Sequence, residues 1–132
     1  MKEEIIKGFN NDNGFVKNNN FKIVSLDDKE CTIEYNVANE GLNPAKIVHG
    51  GLLFGLADTT AGTLACMNGQ MPLTTSASIQ YLNPARCKKL ISTSRILKLG
   101  TKLGYYVVDI YDENDNIICT VNITMYFKDN IK

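Results

Sequence analysis

The sequence has few of the residues from which metal sites, disulfide frameworks and nucleic-acid interfaces are built. Its 132 residues include one histidine and no tryptophan, and the four cysteines contain no C-x-x-C pair. A single histidine excludes a multi-histidine metal site, and scattered cysteines favour reduced thiols over disulfides or zinc ligands. Because 14 basic residues balance 14 acidic ones, the positive surface of a nucleic-acid binder is missing. We therefore expect no metal and no nucleic-acid partner.

The chain also lacks the apolar segments that would take it to a membrane. No hydrophobic run approaches the ~20 residues needed to span a bilayer. Residues 1–9 are acidic and amphipathic, unlike the basic and then apolar start of a signal peptide. Together with the reduced cysteines, these absences predict a cytoplasmic protein with no membrane partner. The length and the 44% of hydrophobic residues predict one domain with a single core.

Hydrophobic periodicity divides the chain into an N-terminal segment and a body. In residues 1–9 the apolar side chains fall on one side of a short helix that could serve as a lid or docking element, and the asparagine-rich residues 10–20 follow. Residues 1–20 therefore form a helical and polar segment, and residues 21–132 form the domain. Period-two alternation in the domain predicts strands at residues 21–26, 31–37, 76–81, 89–99, 105–111 and 117–127.

One segment of the domain has the features of a long helix. Residues 50–68 contain no proline, are apolar on almost every side, and precede Gly69, where a left-handed cap would sit. The four strands after it are joined by short turns, which makes the last of them antiparallel neighbours. Since a helix that is apolar all round needs a sheet that curls around it, the predicted fold class is α+β, with one curved antiparallel sheet wrapped around one long central helix.

A carboxylate stands in the middle of this apolar helix. The residues three and four positions from Asp58 are Phe54, Gly55, Ala61 and Gly62, so no cation on the helix pairs with it. The two glycines leave room for a ligand or for another backbone. Two interpretations stay open: a serine, threonine or amide of the sheet satisfies Asp58, or Asp58 is a functional acid.

The start of the helix is the second unusual feature. Gly50 and Gly51 stand where a Ser, Thr or Asp cap is common. Bare N–H groups at the positive end of a helix dipole can polarise a carbonyl or hold an oxyanion. The alternative is a tight turn in which His49 caps a nearby carbonyl. Eight residues separate Gly50 from Asp58, about 12 Å along a helix, so both groups can act on one carbonyl only if Asp58 meets the Gly50 of a partner in a two-fold dimer.

Residues 43–65 (NPAKIVHGGLLFGLADTTAGTLA), followed by YLNPA at residues 81–85, resemble the hotdog-fold acyl-CoA thioesterases. Within that family they are most similar to the subfamily of the phenylacetate-pathway thioesterases and thioesterase superfamily member 2. The resemblance rests on an Asn, a His-Gly-Gly and a helical Asp nine residues after the His, and it covers about residues 20–128. It implies hydrolysis of an acyl-CoA thioester with no cofactor, by a homodimer that commonly pairs into a tetramer as a dimer of dimers.

The resemblance also implies roles for four residues of the two unusual features. Asp58 matches the catalytic carboxylate, acting as general base or as nucleophile. Gly50 matches the backbone N–H that polarises the thioester carbonyl. Asn43 matches the amide that orients water or the thioester, and His49 matches the histidine that supports the leaving thiolate or the loop.

Further positions follow from the same resemblance. A Ser or Thr on the strand after the helix often faces the carboxylate, and counting back along that strand nominates Thr74, with Thr75 and Ser76 as alternatives. Relatives often carry Arg where this chain has Asn83. The basic residues after the YLNPA segment could meet a phosphate or could form a solvated sheet edge. The expected substrate-binding residues are Gly51, Thr75, Ser76, Asn83, Arg86 and Lys88.

Two other functions occur on the same fold. A hotdog domain can bind an acyl-CoA ligand without turning it over, but such proteins usually add a DNA-binding segment or lack the carboxylate. A hydratase needs an Asp-x4-His pair, and the residue five positions after Asp58 is Thr63. Triads are disfavoured because no G-x-S-x-G is present and Cys66 has no adjacent base. The sequence therefore favours the hydrolase.

Overall fold

The structure is a computed structural model that describes residues 1–128. It contains six strands, three α-helices and two short 3-10 helices, and the last four residues of the predicted domain, 129–132, lie outside the described part. The helices are α1 (Lys2–Asn10), α2 (Phe15–Asn18) and α3 (Gly50–Ala65), with 3-10 turns at Asn39–Gly41 and Cys66–Asn68. The strands are β1 (Phe21–Leu26), β2 (Glu30–Asn36), β3 (Met71–Tyr81), β4 (Lys89–Leu99), β5 (Leu103–Asp112) and β6 (Ile117–Lys128).

The six strands form one antiparallel sheet in the order β1-β2-β4-β5-β6-β3. Short turns join β4 to β5 and β5 to β6, as the sequence predicts. The prediction of a short turn between β3 and β4 is wrong, because β3 lies at the far edge beside β6. The connection, residues 82–88, crosses the sheet: the N–H of Leu82 donates to the C=O of Ile118 on β6, and the N–H of Val37 donates to the C=O of Lys88.

The sheet curls around α3, which confirms the predicted α+β architecture. Each of four strand pairs has a bulge or register shift, and bulges bend a sheet and increase its twist. Helix α3 buries apolar side chains on several sides, including Leu52, Leu53, Leu56 and Leu64. These pack against the inward-facing residues of β2, β4, β5 and β6 in one core. The helix is therefore held at fixed depth and rotation, which places the polar groups on it.

The long helix ends earlier than the sequence predicts. Regular α-helix stops at Ala65, a 3-10 turn covers Cys66–Asn68, and Gly69 takes the predicted left-handed conformation with φ of 81°. None of the helices in the described part of the chain is long and apolar enough to cross a membrane. The four cysteines are all unpaired.

The N-terminal segment is more ordered than its composition suggests. Helix α1 forms as predicted, and its apolar side packs against the core through Ile5, Ile6 and Phe9. Helix α2 is an addition to the prediction, inside the asparagine-rich stretch. The Asp12 carboxylate accepts hydrogen bonds from the N–H groups of Gly14 and Val16, which satisfies donors at the start of that helix.

Candidate active site

Asp58 lies half-buried on α3 and faces strand β3. The Thr74 hydroxyl donates a 2.5 Å hydrogen bond to Asp58 Oδ1, and Met125 Sδ lies 3.4 Å from the same hydroxyl. Within residues 1–128, Asp58 forms no ion pair and its second oxygen, Oδ2, receives no hydrogen bond. A threonine of the sheet therefore satisfies one carboxylate oxygen and leaves the other available as an acceptor or a base.

The free oxygen lies at a cavity of about 520 Å³, which we call the Asp58 cavity. This volume falls within the usual range for small-molecule sites. Helix α3 forms one wall, β3 and β6 form the second, and α1 with the start of α2 forms the third. Its lining is Glu4, Ile5, Gly8, Phe9, Val16, Asp58, Thr59, Gly62, Thr63, Cys66, Met71, Pro72, Thr74 and Met125. Apart from Glu4 and Asp58, the lining carries no charge, so an apolar ligand fits it.

The two glycines that flank Asp58 differ in what lies beside them. A Cβ built at Gly62 would come no closer than 3.8 Å to any neighbour outside its own helix, so Gly62 keeps the cavity open as predicted. A Cβ at Gly55 would lie 2.7 Å from Cζ of Phe15, so the space at Gly55 is filled by the Phe15 ring. Phe15 was not predicted as a site residue because it lies in the asparagine-rich stretch.

The start of α3 presents a backbone donor. His49 is the N-cap, and its Nδ1 accepts a 2.8 Å hydrogen bond from the N–H of Gly51. The alternative in which His49 caps a nearby carbonyl is not what the structure shows, since its Nδ1 accepts from a backbone N–H instead. His49 therefore caps the helix where a Ser, Thr or Asp is common, and the Gly51 N–H is used in this hydrogen bond. The N–H of Gly50 finds no acceptor within the described residues.

Asn43 shapes the loop that leads into the helix. Its Oδ1 accepts hydrogen bonds from the N–H groups of Ala45 at 2.9 Å and Ile47 at 3.3 Å, around Lys46 at a φ of 65°. This Asx arrangement fixes the turn. Within residues 1–128 the Asn43 side-chain NH₂ donates to no acceptor, so the amide can also orient a ligand.

Gly50 and Asn43 share a second cavity, of about 270 Å³, which we call the Gly50 cavity. Tyr81 and Asn83 complete it. The Tyr81 hydroxyl donates to the C=O of Gly50 at 2.9 Å, and burial raises the pKa of Tyr81, so this donor stays protonated at neutral pH. The Asn83 amide donates to the C=O of Ile117 at 2.8 Å. Tyr81 was not predicted as a site residue; its place at the end of β3, beside Asn83, was the signal that could have found it.

A third cavity, of about 440 Å³, contains the predicted basic residues and is called the Arg86 cavity here. Arg86 and Lys88 line it together with Lys46. Lys46 was not predicted as a site residue because it is 40 residues from Arg86 in the chain. Glu113 closes one side, accepting the N–H of Lys88 at 3.0 Å. Hydrogen bonds from backbone N–H groups, its own and that of Lys88, lower the pKa of Glu113.

The structure separates the predicted site residues into three groups. Asp58 and Thr74 share the first cavity, Gly50, Asn43 and Asn83 share the second, and Arg86 and Lys88 line the third. Neither Thr75 nor Ser76 hydrogen-bonds to Asp58, and the Thr75 hydroxyl donates to the C=O of Thr124 at 3.2 Å instead. Within residues 1–128, no three His, Cys, Asp or Glu side chains cluster as metal ligands.

Comparisons with known proteins agree with this fold. Residues 45–119 match the model of the thioesterase superfamily. The acyl-coenzyme A thioesterase PaaI of Escherichia coli strain K12 is 26% identical over 97 residues, covering 73% of this chain and 69% of that protein. The structure of E. coli PaaI superposes with a TM-score of 0.92 at 20% identity, covering 99% of this chain and 96% of the other.

A thioesterase structure from Streptococcus pneumoniae TIGR4, solved with coenzyme A, superposes with a TM-score of 0.80. It is 25% identical, and the match covers 85% of this chain and 91% of the other. The fold is thus the hotdog fold of these thioesterases. Because the family match spans more than half of the sequence, the chain belongs to the thioesterase superfamily.

Proposed function

We propose that this protein hydrolyses an acyl-CoA thioester to the free acid and coenzyme A, in an active site shared by two protomers. One observation carries the proposal: a carboxylate with a free oxygen and a backbone N–H with no acceptor lie on the same helix but in separate cavities. Thioester hydrolysis needs both groups at one carbonyl. The similarity to a named acyl-CoA thioesterase and to a coenzyme A-bound relative supports the substrate class.

The position of β3 indicates how two chains would bring the groups together. Within the described residues β3 pairs on one side, with β6, and its other edge is free. Thr74 on β3 bonds to Asp58, and Tyr81 on β3 bonds to Gly50. If two β3 strands pair antiparallel about a two-fold axis near residues 77–78, Thr74 of one chain lies opposite Tyr81 of the other. Asp58 of each chain then approaches the Gly50 of its partner.

The chemistry follows from this placement. The Gly50 N–H donates to the thioester oxygen and stabilises the negative charge that develops there. Asp58 takes a proton from a water as the water oxygen bonds to the carbonyl carbon, giving a tetrahedral intermediate. When the C–S bond breaks, the electron pair leaves on the coenzyme A sulfur, and the proton held by Asp58 is released to the thiolate or to solvent. Alternatively, Asp58 attacks the carbonyl itself, expels the thiolate and is freed when water hydrolyses the resulting anhydride.

The leaving group is bulky and anionic, and the Arg86 cavity suits it. Lys46, Arg86 and Lys88 present three positive charges, against the one negative charge of Glu113, beside the Gly50 cavity, which shares Ala85 with them. Cations at such a mouth attract phosphate oxygens. We therefore assign the phosphates of coenzyme A to this cluster and the reacting carbonyl to the Gly50 N–H.

The test uses two variants that each remove one half of the site. Asp58→Asn removes the base, and Gly50→Pro removes the N–H at the first helical position, where proline is accepted. Thiol release from acetyl-, hexanoyl-, lauroyl- and phenylacetyl-CoA should fall at least 100-fold in each variant alone. After the two are unfolded and refolded together in equal amounts, about a quarter of the wild-type activity should return, because half of the dimers are mixed and each mixed dimer has one intact site.

Mixing Asp58→Asn with itself is the control and should restore nothing. No recovery in the mixture of Asp58→Asn and Gly50→Pro would show that each chain carries its own complete site. A wild-type protein that is active as a strict monomer would refute the shared site. Thermal stabilisation by these acyl-CoAs with no thiol release would refute hydrolysis and indicate a binding module.

A further inference from the structure

The Asp58 cavity continues along α3 away from the carboxylate. Asp58, Gly62 and Cys66 line it on successive turns, so it extends for about 12 Å at 1.5 Å per residue. On the opposite wall Thr74 lies beside Asp58, and Met71 precedes it by three residues on β3. The far end of the cavity is therefore near Cys66 and Met71. The lining between these ends is apolar, and the cavity begins at the group proposed to attack the thioester.

Helix α1 forms one wall of this cavity. Ile5, Gly8 and Phe9 line it at the spacing of one helical face. None of the residues of α1 is fully buried, and Ile5 and Phe9 pack partly against the core.

Two glycines line the cavity, Gly62 on the α3 wall and Gly8 on the α1 wall. Gly62 lies one turn, about 6 Å, beyond Asp58, and an added Cβ there would have Met125 Cε, at 3.8 Å, as its nearest neighbour. A Cβ added at Gly8 would meet nothing within 4 Å. Glycine inside a helix is unfavourable, so bare positions on both walls point to space that an occupant uses.

We infer that the Asp58 cavity is the acyl pocket, that it holds chains of up to about ten carbons, and that the bare wall at Gly8 on α1 leaves room for them. The inference rests on the proposed function. An extended chain covers ~3.5 Å for each three bonds, so a 12 Å cavity holds roughly ten bonds. A longer chain passes Cys66 and Met71 and reaches solvent. The ligand class is thus a medium-chain acyl group, with α1 as a specificity element.

The experiment compares Gly8→Phe with Lys7→Phe. Both variants place a phenylalanine on α1, but Lys7 lies outside the Asp58 cavity. The kcat/KM for butanoyl-, hexanoyl-, octanoyl- and decanoyl-CoA is measured for each. Because one methylene in an apolar pocket changes kcat/KM by about 10-fold or more, the decanoyl-to-butanoyl ratio should fall at least tenfold in Gly8→Phe. The ratio in Lys7→Phe should match the wild type.

A binding readout separates this inference from the proposed function. S-butyl-CoA and S-decyl-CoA are thioethers that cannot be hydrolysed, and their thermal stabilisation of each variant is measured in parallel. The decyl compound should lose its advantage in Gly8→Phe even if the wild type releases no thiol. An unchanged length profile in both readouts, or an equal loss at every length, would overturn the inference. If Gly8→Phe fails to fold by circular dichroism, Gly8→Leu provides the same test.

Discussion

The two functional stretches of α3 differ in what they offer a ligand. At its start, His49 engages the Gly51 N–H and leaves the Gly50 N–H free as a donor. Two turns later, Asp58 has one oxygen held by Thr74 and the other free as an acceptor. One helix therefore carries a free donor and a free acceptor too far apart to meet within the chain, and these are the two halves of the reaction centre that we propose. Because about 12 Å of helix separates the two groups, we propose that they act together only across two chains.

The largest expected effect tests the donor end. Gly50→Pro removes the N–H, while Gly50→Ala keeps it and adds the Cβ that proline also has, which would lie 3.2 Å from the Tyr81 hydroxyl oxygen. His49 already has the extended backbone that a residue before proline needs. The ratio of kcat in Gly50→Ala to kcat in Gly50→Pro should be about 10²–10³, the usual contribution of one oxyanion donor. Equal kcat values in the two variants would show that the Gly50 N–H does not stabilise the transition state.

A smaller effect is expected at the acceptor. Thr74→Val removes the hydroxyl that holds Asp58 Oδ1 but keeps the shape of the side chain. Because a hydrogen bond to a charged group contributes about 1.5 kcal/mol or more, kcat should fall about tenfold with little change in KM. Thr74→Ser should restore most of the kcat. A loss that serine does not rescue would mean that Thr74 acts through packing rather than by positioning the carboxylate.

The smallest effect contrasts Asp58 with a carboxylate that serves the fold. Asp112 accepts the N–H groups of Asn114 and Asn116 and the Asn116 amide in the β5–β6 turn. These bonds, the Asn116 N–H first, lower the pKa of Asp112. A lowered folded-state pKa stabilises the fold above the unfolded value of about 3.9, and this stability is lost as the pH falls through the folded value.

Asp112→Asn should therefore melt at a lower temperature than the wild type at pH 7, and the difference should shrink as the pH falls below about 4. Thiol release at a temperature where both proteins are folded should be unaffected. Melting curves between pH 7 and pH 3 check this. A difference in melting temperature that is constant across this pH range would show that the charge of Asp112 contributes nothing to stability.

The sequence predicted the fold well where one periodicity dominates. The apolar segment that begins at Gly50 predicts a buried helix, and the alternation from Cys119 to Phe127 predicts a half-buried strand. It failed where long-range pairing decides the outcome. Residues 82–88 are short enough for a turn, but hydrogen bonds to Ile118 and Val37 stretch them across the sheet. Nothing local encodes those partners.

The site was predictable to the level of residue types and spacing. The distance from Gly50 to Asp58 follows from helix geometry alone. The sequence could not choose among Thr74, Thr75 and Ser76, and it could not show that the Phe15 ring fills the space beside Gly55. Both outcomes depend on tertiary contacts. The walls of the Asp58 cavity, contributed by α1, lie outside the span that carries the family match, residues 45–119.

The bulge at Thr75 explains why counting alone leaves the choice open. Thr74 pairs with Met125 and Ser76 pairs with Thr124, so Thr75 is an extra residue in β3. Side chains alternate across a strand, and one inserted residue reverses the alternation for everything before it. With Ala77 and Ile79 facing the core, an unbulged strand would turn Thr74 outward. Which residue faces the carboxylate therefore depends on the bulge: a strand that kept all its residues but lost the bulge would turn Thr75, and not Thr74, toward Asp58.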